Sequence, residues 1–181
     1  MSTIAGAHAQ VPSRLKLHLI GYPLPELSPV DAAATRVIER RLYVELTKKL
    51  RENGVAYSID VTPTLTPWFD GLLLVVPVFD ESGLDLEPYI TGLLSSTVHR
   101  PVSKEELESL VLAVKLEDEV AARDPSSFVW RLATGRAIVA WLSPEYRTAL
   151  DTLLPEQVEK AAAVLFQNER KRFYIQFGAQ R

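Results

Sequence analysis

Between Arg41 and Ile59 the sequence RLYVELTKKLRENGVAYSI changes its hydrophobic period once, at a glycine. Before Gly54, Leu42, Leu46 and Leu50 continue a four-residue spacing begun by Ala34 and Ile38, with Val30 and Val37 beside them. That is the stripe of a helix burying one face. After Gly54, Tyr57, Ile59 and Val61 alternate with Ala56, Ser58 and Asp60, the period of a strand with one covered face. A chain can switch period this abruptly only where the junction residue accepts a left-handed backbone, which glycine does without steric penalty. The start of the helix is as clearly marked. Ser28 supplies a cap, Pro29 occupies the first helical position, where it has no N–H to lose, and Asp31 complements the positive helix end.

On the N-terminal side, Leu15, Leu17 and Leu19 alternate with Arg14, Lys16 and His18, which predicts a half-buried strand with His18 on its polar face. On the other side, Leu72 to Phe79 is apolar enough for a strand covered on both faces. The turn-rich Pro63 to Gly71 before it predicts an antiparallel pair joined by a loop longer than a tight hairpin. Helices are expected over Leu86 to Val98 and from Ser103 to about Arg123. The second opens on Ser103-Lys104-Glu105-Glu106, a capping box in which Glu106 reaches back to the cap. Further helices are expected over Phe128 to Leu142, after Ser143-Pro144-Glu145, and from Pro155 through Phe166. A last strand carries Phe173, Ile175 and Phe177. This order predicts an α+β fold, a mostly antiparallel sheet with helices packed on one face. Residues 1–13 read as a flexible tail and 14–181 as a single domain. Ala7-His8-Ala9 looks like a signal-peptidase site, but the basic and apolar regions that should precede one are missing.

Composition removes several function classes. A chain of 181 residues, 47% hydrophobic and 24% charged, can bury a real core. A net charge of -3 gives no general attraction to nucleic acid, and Arg170-Lys171-Arg172 is too short a basic run to provide one. No apolar run is long enough to insert in a membrane. With no cysteine there is no thiolate nucleophile and no cysteine metal site. The three histidines, His8, His18 and His99, are too scattered for two imidazoles to share an ion from adjacent helical turns. Neither a Gly-x-Ser-x-Gly elbow nor a phosphate-binding glycine loop occurs, and Ser95-Ser96 and Ser126-Ser127 read as helix caps. No catalytic residue, metal ligand or cofactor is therefore expected in this chain.

The run from Leu50 through Arg51, Gly54 and Ala56-Tyr57-Ser58 resembles the "LRE-x-x-G-L-A-Y-S" segment of the insulinase/pitrilysin superfamily of zinc metallopeptidases. Other pieces agree in order and spacing. Gly21-Tyr22-Pro23 with Asp31-Ala32-Ala33-Ala34 is similar to that family's "G-x-P-x-P…D-x-x-A", and Val102-Ser103-Lys104-Glu105-Glu106-Leu107 to its "V-S/T-x-E-E-L". Leu154-Pro155-Glu156-Gln157-Val158 with Ala161-Ala162 is similar to "L-T-P-E-D-V…A-A". The H-x-x-E-H zinc motif is absent, so the resemblance implies the second, non-metal half of a two-half clam shell. In that half an arginine at the helix end and a tyrosine on the next strand reach toward the zinc half, which points to Arg51 and Tyr57 as substrate-binding residues. A fixed cation and a phenol hydroxyl would stabilise the oxyanion forming there. The pair stands one residue closer than the family's usual spacing, so Leu50 falls where the arginine aligns. A purely structural reading also stands: a helix-end arginine favoured by the dipole and a half-buried strand tyrosine.

The resemblance implies a non-catalytic peptidase-like domain that pairs with a zinc-bearing half-domain, or with its own copies, and helps hold peptide. The alternative is a structural or assembly subunit that uses the same fold without proteolysis; a third reading is an enzyme with a rearranged site. An exposed apolar patch on the sheet favours the first two, a histidine-lined cleft the third.

Overall fold

The computed structural model describes residues 15–24, 27–56, 59–66, 69–79, 85–126, 143–166 and 173–177. Their elements run β1 (Leu15–Pro23), α1 (Pro29–Glu52), β2 (Asp60–Thr66), β3 (Phe69–Phe79), α2 (Leu86–Val98), α3 (Lys104–Arg123), α4 (Pro144–Asp151), α5 (Pro155–Leu165) and β4 (Phe173–Phe177). The expected tail and the expected helix over Phe128 to Leu142 lie outside the described residues. Among the described residues, no helix is long and apolar enough to cross a membrane.

The four strands form one antiparallel sheet in the order β2-β3-β1-β4. The fold is the α+β arrangement expected, but the β2–β3 connection is not. β2 continues through Pro63 as far as Thr66, which pairs with Phe69, so two residues separate the strands where the sequence predicts a longer loop. Pro63 is tolerated because β2 is an edge strand with a neighbour on one side only, so a missing N–H can face outward without breaking the ladder.

α1 is the hub of the helical layer, touching α2, α3, α4 and α5. Its stripe is buried as expected: Ala34, Ile38, Leu42, Leu46 and Leu50 are each at most 2% exposed. Ser28 Oγ accepts the Asp31 N–H at 3.2 Å, which starts the helix where the sequence marks it. α3 starts as marked too, with Ser103 Oγ accepting the Glu106 N–H at 3.1 Å. The other half of the expected box does not form. Glu106 instead accepts from Arg41 Nε at 3.0 Å and from the Arg100 guanidinium at 2.7 Å, so a charge-assisted pair outcompetes a neutral backbone donor. Arg41 also donates to the carbonyls of Arg100 and Pro101, which ties α1 to the turn that begins α3. Ser95 and Ser96 are not caps; they lie in the last turn of α2, where Ser96 Oγ donates to the Leu93 carbonyl at 2.9 Å.

The two faces of the sheet differ. His18, Ile20 and Tyr22 of β1, Leu72, Leu74, Val76 and Val78 of β3 and Val61 of β2 are buried, and the Tyr22 ring meets Phe166 at the end of α5 edge-on at 4.8 Å. Leu17, Leu19, Leu73, Val75 and Pro77, which point the other way, are half-buried. This corrects two expectations. His18 faces the core and the leucines of β1 do not, and β3 is fully covered on one face only.

Candidate functional site

The junction that carries the predicted pair is built as a closed turn. Gly54 adopts φ 64°, its N–H bonds the Arg51 carbonyl at 3.0 Å, and the Val55 N–H bonds the Leu50 carbonyl at 2.8 Å. These are the two crossed bonds of a Schellman motif, with the apolar residues at its ends, Leu50 and Val55, both buried. Asn53 adds a side-chain bond to the Lys49 carbonyl at 2.7 Å. The turn thus leaves few unpaired carbonyls at the helix end and fixes the direction in which the chain departs. Arg51 sits on the last turn of α1 with its side chain exposed. Tyr57 lies outside the described residues; its described neighbours, Ala56 and Ile59, are both buried.

The second feature is the less covered face of the sheet, whose described aliphatic side chains are half-buried. The register sets Leu19 beside Val75 and Leu17 beside Pro77, and on the other flank opposite Ile175 and Phe177 of β4. Leu73 lies opposite Gly21 in the same row. Leu17, Leu19, Leu73, Val75 and Pro77 therefore make a continuous apolar band across two adjacent strands, roughly 5 Å apart. A band of half-exposed aliphatic side chains has no ionisable group with which to do chemistry. What it can do is bury area against another surface.

Among the described residues, no histidine-lined cleft accompanies it. His18 is buried in the core, and burial followed by the charge of Lys16 holds its pKa below the usual imidazole value, so it is neutral at pH 7. His99 is the exposed C-cap of α2. Among the described residues, no group of three or more His, Cys, Asp or Glu side chains stands close enough to hold a metal ion.

One polar cluster has no counterpart in the sequence reading. Arg36 on α1, 7% exposed at its side chain, contacts Glu39 at 2.7 Å, Glu117 at 3.1 Å and Asp118 at 3.5 Å. Arg40 reaches Glu117 at 2.7 Å, and Tyr146 of α4 donates its hydroxyl to Asp118 at 2.9 Å. Burial works against the charge on Arg36, but the three carboxylates outweigh it and hold the guanidinium protonated. The Tyr146 hydroxyl is pushed up by burial and by Asp118. A signal existed for this cluster: Arg36 and Arg40 are one helical turn apart, and Glu117-Asp118 interrupts the apolar spacing of α3. Sequence alone reads those acids as a solvated face, because separation along the chain hides that the two helices meet there.

Comparison with known proteins extends the fold assignment. No family model matches the chain, and no curated protein does. Solved structures do. The inactive peptidase domain of a candidate zinc protease from Bordetella parapertussis is similar at 19% identity and TM-score 0.66, over 97% of this chain and 94% of that one. A peptidase M16 inactive domain from Pseudomonas fluorescens matches at 14% identity and TM-score 0.68, covering 96% of this chain and 43% of the other. Pitrilysin matches at 12% identity and TM-score 0.64, over 92% of this chain and 18% of its own. The chain thus spans nearly all of one relative, under half of another and about a fifth of the third. Its fold is that of an M16/pitrilysin peptidase half-domain.

Proposed function

We propose that this chain is a non-catalytic peptidase-like domain that pairs with a zinc-bearing half-domain and helps hold peptide substrate. The observation that carries the reading is the asymmetry of the sheet. Helices cover one face, and the other carries a partly exposed aliphatic band on β1 and β3, without an ionisable side chain among its described residues. Burial of such a band against a second half-domain is favourable at roughly 25 cal/mol per Å² of apolar area. The fold shared with peptidase domains described as inactive supports the same reading.

In this role Arg51 and Tyr57 contribute donors from the non-metal side. The guanidinium holds the peptide carbonyl, and the phenol hydroxyl reaches the oxyanion that develops as the partner's zinc-activated water attacks. The experiment is a peptidase assay with the zinc-bearing half supplied by the neighbouring coding sequence or the parent chain. Tyr57→Phe removes one donor and is expected to lower turnover by roughly a hundredfold; Arg51→Ala is expected to act on the same step. Unchanged turnover in both variants, with the assembly intact, would reject peptide holding by this pair and leave the structural-subunit reading.

A further inference from the structure

The contacts around Arg36 gather three carboxylates against two guanidinium groups. Glu117 is held by two arginines, Arg36 and Arg40, and Asp118 accepts the Tyr146 hydroxyl and lies near Arg36, so both are stabilised as anions. Glu39 is placed differently. One carboxylate oxygen meets Arg36 at 2.7 Å, while the other, Oε2, is enclosed and meets no donor among the described residues. Three carboxylates share two guanidinium groups, and the third anion has only half its hydrogen-bonding met. A neutral carboxyl there costs far less than an enclosed bare oxygen. Beside the cluster lies a cavity of about 270 Å³ lined by Arg36, Glu39, Arg40, Tyr43, Glu117 and the first residues of β2, Asp60 and Val61.

We propose that Glu39 and the carboxylates around Arg36 form a proton-operated clasp that holds α3 and α4 onto α1 beside the start of β2. With one proton on Glu39 the charges balance and the three helices close. Without it, Glu39 repels Glu117 and Asp118 across the α1–α3 contact. The groups facing Glu39 are Arg36 and Arg40 from its own helix, Glu117 and Asp118 from α3, Tyr146 from α4 and Asp60 from β2. The electrostatics agree with the geometry: burial, only partly opposed by Arg36 and reinforced by Glu117 and Asp118, pushes the Glu39 carboxyl up to about 7. The sign follows. A carboxyl raised above its unfolded value favours the closed form fully at pH below about 4.5, and that advantage is lost as pH rises toward about 7. β2 follows the segment containing Tyr57, so the proton state of this cluster acts on the frame that carries that segment.

The test is amide hydrogen exchange on the full chain, corrected for intrinsic exchange, at pH 5 and pH 8. Protection of the amides at 146–150 in α4 and 114–118 in α3 should fall at least tenfold between the two. In Glu39→Gln, which keeps the shape and removes the titration, that fall should disappear. Carbon-detected NMR of the Glu39 carboxyl provides a second reading, with a midpoint near 7 expected. A flat wild-type profile, an equal fall in Glu39→Gln, or a carboxyl midpoint below 5 would overturn the clasp.

Discussion

Gly54 shows what a single residue can specify. Its φ of 64° is open to glycine and strained for other residues, yet a Cβ built there meets nothing within 4 Å. Gly54→Ala should therefore cost only the backbone term, about 1–2 kcal/mol, with no added clash. Urea denaturation measures it; a loss near zero would mean the turn relaxes and does not fix the chain direction. Other single residues were misread for a shared physical reason. Glu106 was assigned to its own helix cap because only local partners are visible in a sequence. In the fold two guanidinium groups arrive from α1 and from the α2–α3 turn, and a charged donor wins over a backbone N–H. His18 was placed on the polar face of its strand because histidine is commonly solvated. Burying it neutral costs less than exposing Ile20 and Tyr22, the residues that share its face.

Helix α3 separates interactions that look alike on paper. Arg41 and Arg100 both bind Glu106, but the Arg41 side chain is 4% exposed and that of Arg100 is 45% exposed. Removing Arg41 takes the side-chain donor from two part-buried backbone carbonyls, those of Arg100 and Pro101, and one of two cations from Glu106, so Arg41→Ala should cost about 2–3 kcal/mol. Arg100→Ala, with water at hand to replace it, should cost under about 1 kcal/mol. Equal losses in chemical denaturation would show that burial is not what distinguishes them. Element boundaries were legible wherever a local rule is decisive. Ser28-Pro29, Ser103 and Ser143-Pro144 start helices where expected, and Gly54 ends α1. The hairpin was not legible, because proline breaks strands in general and is harmless only at an edge. Whether β2 is an edge depends on the order of strands, which no local window contains.

At the scale of the whole molecule, the partly exposed sheet face should bind something or bind itself. The full chain is expected to scatter light above its monomer mass at high concentration and to bind a hydrophobic dye. Leu19→Lys with Val75→Glu, which places opposite charges on one register pair, should abolish both while leaving the circular dichroism unchanged. A wild type that stays strictly monomeric and binds no dye would sink the expectation. The pH profile also belongs to this scale, since two buried groups pull it in opposite directions. Glu39 weakens the fold as pH rises toward about 7, whereas His18, depressed by burial, weakens it as pH falls below about 6.5 and the imidazole must charge. In the Glu39→Gln variant only the second limb should remain above pH 5, and adding His18→Leu should flatten it. An unchanged acid slope in the double variant would clear His18 of the effect. By itself the sequence determined the order of the described elements, the helix starts at Ser28, Ser103 and Ser143, the glycine turn, the α+β class and the absence of an H-x-x-E-H motif, since each depends on residues within a few positions of one another. The tertiary structure alone decided which face of β1 is covered, that the other side of the sheet is only partly covered, and that charges from α1 and α3 meet the Tyr146 hydroxyl of α4 in one cluster. Those outcomes depend on which surfaces meet, and burial and charge pairing act between residues far apart in the chain.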